Sequence, residues 1–278
     1  MRFSIVGCGQ MGSWFARHLS ARGASLTLHD KERRKAESLA KRFDARVIDS
    51  IEEAADSGPI LLALPIKETS QALRDLVDFA EHKLRIVEIC SFKGPLRKQI
   101  SYARRGGHVV ASIHPLFGPG QRDDKDTVTI HVDRGSRSED FLVRMLLPKT
   151  RIRRMTWFEH DEAMTVAISL THFIGISAAQ QVSKIRPLKV KTKSLYTLLS
   201  LISISISESD SFYEDYAMNN SSAMKLFRAY AANVQTFLKA LERSRATELV
   251  KEARKVLRRR YALDVIYNSL YSDSRNCR

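Results

Sequence analysis

Arg2-Phe3-Ser4-Ile5-Val6-Gly7-Cys8-Gly9-Gln10-Met11-Gly12 opens the chain as a short apolar run that empties into G-x-G-x-x-G. Gly7 permits a tight turn, Gly9 lets a pyrophosphate approach the backbone, and Gly12 lets a helix pack closely on the strand before it. The stretch Ser13–Arg22, stopped by Gly23, reads as that helix, and its free N–H groups and dipole favour an anion at the start. A second strand, Ser25–Asp30, follows, so the three glycines sit in a βαβ unit, where the pattern has a mechanism. The Asp30 carboxylate would accept hydrogen bonds from ribose hydroxyls and repel a 2′-phosphate, which favours NAD. Lys31, Arg33 and Arg34 come next, either as holders of a 2′-phosphate or as a solvated helix start, so NADP stays open.

Outward from this turn, strand-like and helix-like stretches alternate. Lys31–Phe43 is a charged amphipathic helix, and Pro59–Leu64, Arg85–Cys90 and His108–Ile113 are apolar runs of strand length. Val128–Val132 and Arg151–Met155 read as later strands. This alternation implies α/β architecture with a Rossmann-type, mostly parallel sheet. The texture changes near Trp157. Asp161–Gln181, Leu195–Ser207, Ser221–Leu241 and Ala246–Leu263 are helix-compatible, with Pro187 the one proline after Glu159. The expectation is a dinucleotide-binding domain over 1–157 and an all-α domain for substrate and dimerisation over 158–278. Ile202–Ser207 alternates with strand period, yet the preceding Leu195–Leu201 does not, so the segment is assigned to a helix. Residues 184–193 read as a basic linker.

The 278 residues suffice for two cores, and 46 Lys plus Arg against 31 Asp plus Glu give a net charge of +15. That field attracts anions without identifying them, and much of it fits a solvated surface. Cys8, Cys90 and Cys277 are too far apart for a metal knuckle or a disulfide framework, so no metal is expected. The start is too short for a signal-peptide core, and the longest apolar-leaning run, Leu195–Ile206, falls short of the ~20 residues of a membrane span. A reducing cytoplasm is the expected compartment.

Two further loops carry candidate chemistry. Ser91-Phe92-Lys93-Gly94-Pro95-Leu96 follows one strand, and Ser112-Ile113-His114-Pro115-Leu116-Phe117-Gly118-Pro119 ends another. Both therefore fall at carboxyl ends of strands in an open α/β sheet, where ligands bind. His114 is the natural general base, because its pKa lies near working pH. The alternative for a lone histidine before proline is a hydrogen bond that stabilises its loop.

Together with Ala63-Leu64-Pro65 and Glu159–Phe173 (EHDEAMTVAISLTHF), these motifs resemble the successive motifs of prephenate dehydrogenases, in order and over nearly the whole chain. No chorismate mutase-like segment precedes the glycine turn, so the resemblance is to the monofunctional form. It implies oxidative decarboxylation of prephenate to 4-hydroxyphenylpyruvate in tyrosine biosynthesis, with NAD as hydride acceptor. By resemblance, His114 would accept the proton of the 4-hydroxyl and Ser91 would assist. His172 would face the substrate, with Ser112, Lys93, Lys191 and Lys193 also binding it; on residues alone, His172 on an apolar helix reads first as a satisfied core histidine. Gly7, Gly9, Gln10, Met11, Gly12, Asp30, Leu64 and Pro65 would line the cofactor.

The family commonly carries a carboxylate-clamping arginine on the helix matching Leu195–Ser207. Here that helix has no Arg or Lys, and Ser205 stands near the expected place. Lys191, Lys193, Lys225 or Arg228 could replace the arginine, or the substrate could be arogenate. A second reading is another Rossmann reductase with a helical second domain, such as a β-hydroxyacid dehydrogenase or an imine reductase. The first helix here lacks the catalytic lysine usual in hydroxyacid dehydrogenases. A third is a non-catalytic nucleotide sensor or nucleic-acid binder using the basic stretch Lys251–Arg260, although that stretch has few aromatics. The expected partners are a small dianion and a second copy, paired through the apolar face of Phe227, Tyr230, Val234, Phe237, Leu238 and Leu241. Neither a membrane nor nucleic acid is expected.

Overall fold

In the computed structural model, strand β1 (Arg2–Val6) lies inside an eight-stranded sheet of order β3-β2-β1-β4-β5-β6-β7-β8. The structure describes residues 1–186, 189, 192–208, 212–213 and 221–272, so Pro187, Lys191 and Cys277 lie outside the described residues. The other strands are β2 (Ser25–His29), β3 (Arg46–Val47), β4 (Ile60–Leu62), β5 (Arg85–Glu88), β6 (Val109–Pro115), β7 (Val128–Val132) and β8 (Arg151–Met155). All neighbours run parallel except β6 and β7. The chain passes from β1 to β2 on one side and returns to β4 on the other, which opens a crevice at the carboxyl ends of β1 and β4.

Five helices flank this sheet in its unit: α1 (Gln10–Ser20), α2 (Arg33–Phe43), α3 (Ile66–Phe79), α4 (Arg97–Arg105) and α5 (Arg137–Leu146). A sixth, α6 (Trp157–Met164), follows β8. The apolar strands and the inner face of α1 are buried, with Phe3, Ile5 and Leu28 on strands and Phe15 and Leu19 on α1 all 1% exposed or less. Each such side chain contributes roughly 1.5–3 kcal/mol through burial. The ends of α1 and α5 differ. Ser136 caps α5 by accepting the Glu139 N–H at 3.4 Å, whereas α1 starts at Gly9 with no side-chain cap and no acid in its first turn. The start of α1 is thus left open to an outside anion.

The chain divides at Met164, into one unit of residues 1–164 and another of 165–278. This falls seven residues beyond the expected boundary at 157. The reason is visible in α6, whose Asp161 accepts backbone N–H bonds from the loop after β5 and whose Trp157 N–H donates to Asp133. In the second unit a π-helical turn (Thr165–Leu170) leads into α7 (Thr171–Val182), followed by α8 (Lys193–Ile206), α9 (Ser221–Glu242), α10 (Ala246–Arg260) and α11 (Leu263–Ser272). The alternating Ile202–Ser207 is helical up to Ile206, as expected. The expected last helix, Ala246–Leu263, is instead two, broken at Tyr261. Helix α7 meets α8 so closely at Gly175 that a Cβ there would lie 2.0 Å from Ser205 Oγ.

The length expectation for membrane spans also changes. Residues Trp157–Val182 form one 26-residue helical run, long and apolar enough to cross a membrane by length and composition. Its polar residues His160, Thr165, Ser169 and His172 are buried.

Candidate active site

Four loops converge at the carboxyl edge of the sheet. Gly7 turns with φ +97°, and a Cβ on it would lie 2.4 Å from Ala63 O. A Cβ on Gly12 would lie 1.8 Å from Gly7 O, so both positions require glycine. Around Gly9 nothing lies within 4 Å of such a Cβ. The middle glycine therefore offers the bare, approachable backbone that a pyrophosphate needs, and the site fits a dinucleotide. The Ala63-Leu64-Pro65 loop closes against this turn, with Ala63 N–H donating to Val6 O at 2.8 Å.

Asp30 ties the turn to the end of β2. Its carboxylate accepts the Cys8 N–H at 2.7 Å and the Glu32 N–H at 2.8 Å. Of the neighbouring cations, Lys31 pairs with Glu68, and Arg33 pairs with Glu37 at 2.8 Å and with Asp49. Cys8 lies in the turn, but burial first and Asp30 second push its thiol up to about 12, so it is no nucleophile. Burial raises Cys90 as well.

The loop after β6 is drawn onto α1. Trp14 Nε1 and Arg17 Nη2 both donate to Gln121 O, at 2.6 and 2.8 Å, and Phe117 packs on Trp14 with ring centres 4.7 Å apart. The HPLFGP segment is thereby held beside the helix that opens the glycine turn.

His114 is the penultimate residue of β6 and only 7% exposed. Its Nδ1 lies 2.9 Å from His160 Nε2, and His160 Nδ1 lies 2.7 Å from Asp161 Oδ1. Asp161 also accepts the N–H of Lys93 at 2.9 Å and of Gly94 at 2.6 Å. Burial first, then the neighbouring His160 and Lys93, hold His114 well below the ordinary 6.5, so it is neutral at pH 7. Ser91 is half-buried in the loop that Asp161 anchors.

Two expected substrate ligands take other roles. Lys93 is 1% exposed, and its Nζ donates to Glu88 Oε1 at 2.8 Å and Ile113 O at 2.7 Å. Ser112 Oγ donates to the same Glu88 oxygen, while Cys90 N–H donates to Glu88 Oε2 at 2.9 Å. Charge inside a sheet needs a complete set of partners, and this set consumes Lys93 and Ser112 internally. Both are corrected to supports of the loops that carry Ser91 and His114. Glu88, His160 and Asp161 were missed by the sequence reading. The signals were present: a carboxylate inside an apolar strand, and the His-Asp pair in EHDEAM.

In the helical unit His172 is 5% exposed. Its Nδ1–H donates to Ile168 O at 2.9 Å. Ile168 belongs to the π-turn, a rare form common at functional sites. Lys193 begins α8 behind the Thr192 cap. Ser205 cannot stand in for a clamping arginine, because its hydroxyl donates to Leu201 O at 2.8 Å and is packed against Gly175. Lys225 and Arg228 are exposed on α9; Lys191 lies outside the described residues.

Against known proteins, residues 2–89 match the family model described as "NADP oxidoreductase coenzyme F420-dependent". Over 93% of this chain and 96% of the other, the fold superposes on the prephenate dehydrogenase of A. aeolicus with a TM-score of 0.73, at 17% identity. The chain has the prephenate dehydrogenase fold. The arogenate dehydrogenase of Synechocystis shares it at a TM-score of 0.65 and 15% identity, over 94% of this chain and 99% of that one. In sequence, the chain is 22% identical over 90% of its length to the "Probable arogenate/prephenate dehydrogenase" of Methanocaldococcus jannaschii. It is 25% identical over 78% to the "T-protein" of Haemophilus influenzae. It spans 59% and 55% of the lengths of those two relatives.

Proposed function

We propose that this chain is a dehydrogenase of prephenate, with arogenate as the alternative substrate, that uses NAD and serves tyrosine biosynthesis. The observation that carries the reading is the buried imidazole of His114 at the carboxyl edge that also holds a glycine turn open at Gly9. The A. aeolicus relative is a prephenate dehydrogenase in complex with hydroxyphenyl propionate and NAD+, which supports both the substrate class and the cofactor.

Gly7, Gly9, Gln10, Met11 and Gly12 would hold the pyrophosphate, Leu64 and Pro65 would border it, and Asp30 would take the ribose hydroxyls. NAD is preferred over NADP because Asp30 is anionic and Lys31 and Arg33 already have carboxylate partners. When bound, the cofactor supplies an acceptor for the hydride from the substrate's C4. His114 Nε2 takes the proton of the 4-hydroxyl, with Ser91 assisting at the same hydroxyl. The C1 carboxylate leaves as carbon dioxide, and the ring becomes aromatic. His172 would face the substrate, and Lys193 or Lys191, with Lys225 and Arg228 as further candidates, would supply cationic charge for its carboxylates. The +15 net charge favours capture of such a dianion.

The same reading takes the chain as a soluble, cytoplasmic homodimer that binds neither membrane nor nucleic acid. The expected apolar face of α9 is only partly available, since Phe227 is buried against Phe173 with ring centres 4.5 Å apart. Val234, Phe237, Leu238 and Leu241 are 40–52% exposed and support pairing. A monomer at micromolar concentration in sedimentation would remove that part of the reading.

The deciding experiment mixes purified chain with prephenate and NAD and follows the near-ultraviolet absorbance of reduced nicotinamide. Arogenate and NADP run in parallel. Reduction with prephenate or arogenate is expected, and none with either would overturn the reading.

A further inference from the structure

Two groups stand in line behind the candidate base. Asp161 is an acceptor, so the 2.7 Å contact places a proton on His160 Nδ1. On a ring that carries this single proton, Nε2 is bare. The 2.9 Å contact between His160 Nε2 and His114 Nδ1 then needs its proton on His114. Neutral His114 therefore carries N–H at Nδ1 and a lone pair at Nε2, the nitrogen that no described protein group takes. With His160 singly protonated, the alternative tautomer of His114 would set two bare nitrogens against each other at 2.9 Å.

We propose that Asp161 and His160 are positioning residues that fix this tautomer of His114 and receive its charge when Nε2 takes a proton. The step balances without any further reactant. The hydroxyl proton goes to His114 Nε2, the Nδ1 proton of His114 moves to His160 Nε2, and the resulting His160 cation faces the Asp161 carboxylate. A buried cation without such a partner would be costly. This rests on the reading of His114 as proton acceptor given above.

The ends of the line are well held. Asp161 takes two backbone N–H bonds from the loop after β5, and a Cβ on Gly94 would lie 3.0 Å from Asp161 Oδ2, so the loop presses directly on that carboxylate. The Lys93 side chain in turn grips Ile113 O, one residue before His114. The carboxylate that orients the line is thus fixed to the same loop that carries Ser91.

The first test uses the unmutated, cofactor-free chain labelled with 15N-histidine. Nitrogen shifts and couplings are expected to report His114 as Nδ1–H with a bare Nε2; the opposite tautomer would overturn the proposal. This measurement needs neither a variant nor turnover, so it stands even if the reaction reading fails. His160→Gln keeps an oxygen for the Nδ1–H but cannot receive a proton. It should lower kcat about 10–100-fold, the usual range for a supporting partner, with KM and dinucleotide affinity unchanged. His160→Leu removes the acceptor as well, and His114 should then show a mixture of tautomers. Full kcat in His160→Gln, or an unchanged single tautomer in His160→Leu, would refute the relay. Loss of KM and kcat together would point to a structural role and count against it equally. Absence of turnover in the unmutated chain would instead fell the reaction reading and leave the tautomer to decide this one.

Discussion

Glu88 and Lys93 are buried completely at the carboxyl edge of the sheet, whereas Val265, Ile266 and Tyr267 on α11 are each more than half exposed. The sheet unit thus hides charge and satisfies it, while the helical unit leaves apolar surface in the open. The difference separates two kinds of preorganisation. At the sheet edge, unpaired buried charge is so costly that the loops can adopt few other arrangements. Glu139 repeats the device further along, 2% exposed and met by Arg104 Nη2 at 2.8 Å and by the Gly135 N–H at 2.9 Å. On α10 and α11 no residue is buried, so their sequence alone does not fix what covers them.

If the edge is built for proton transfer, the largest effect should come from His114. His114→Ala is expected to lower turnover about 10²–10⁴-fold, with dinucleotide binding intact by calorimetry. Unchanged turnover would take His114 out of the chemistry and reduce the edge to scaffolding.

Next in size is the buried pair. Glu88→Gln leaves the Lys93 ammonium without its counter-charge and should cost about 3–5 kcal/mol in urea unfolding. Adding Lys93→Met should return much of that loss, because a buried pair replaced by apolar groups is often near neutral. If the double variant is no more stable than the single, the cost lies in Ser112 and Cys90 losing their acceptor rather than in stranded charge.

A smaller effect follows from the buried histidines. His114 lies well below 6.5, and His18 is lowered too, chiefly by burial. Above about pH 6.5 both folded and unfolded chains hold these rings neutral. Below it the unfolded chain gains protons that the folded one refuses, so stability falls as pH drops. The slope is at most about 1.4 kcal/mol per pH unit for each ring. Unfolding midpoints between pH 7.5 and 5.5 measure it, and a midpoint that holds steady or rises on acidification would contradict the neutral state assigned to His114.

How much of this was legible beforehand divides along the same line. Strands β7 and β8 fall where predicted, and β2 ends one residue early; for β2 and β7 the reason is that short apolar runs bounded by turn residues leave little room for another register. The roles of Gly7, Gly9 and Gly12 were equally readable, since each depends on local backbone geometry. The network behind His114 was not. Lys93 looks like a free cation in sequence, and only the fold brings Glu88 and Ile113 O around it. His160 and Asp161 lay inside a quoted motif, yet nothing in their spacing says that α6 would bring them to β6. The seven-residue shift of the domain boundary has the same cause. The helix α8 was legible, but the burial of Ser205 was not, because it depends on the absent side chain of Gly175 on another helix.

The smallest effect lies at the end of β2, where the sheet unit would meet the cofactor. Asp30 serves two purposes: it holds the Cys8 N–H at 2.7 Å, and its charge would select against a 2′-phosphate. Asp30→Ala removes both, so NAD affinity should fall by about 10-fold or somewhat more, the worth of one or two hydrogen bonds to a charged group. Affinity for NADP should fall less, because repulsion is lost along with the bond, and the ratio of kcat/KM for the two cofactors should move toward NADP. Asp30→Asn separates the purposes, since its amide oxygen can still accept from Cys8 while the charge is gone. If selectivity shifts in Asp30→Ala but not in Asp30→Asn, the turn is selected by shape. If both shift alike, charge at the end of β2 decides. An unmutated chain that already prefers NADP would mean that Asp30 acts only on the turn, and Arg34, the exposed cation beside it, becomes the residue to change.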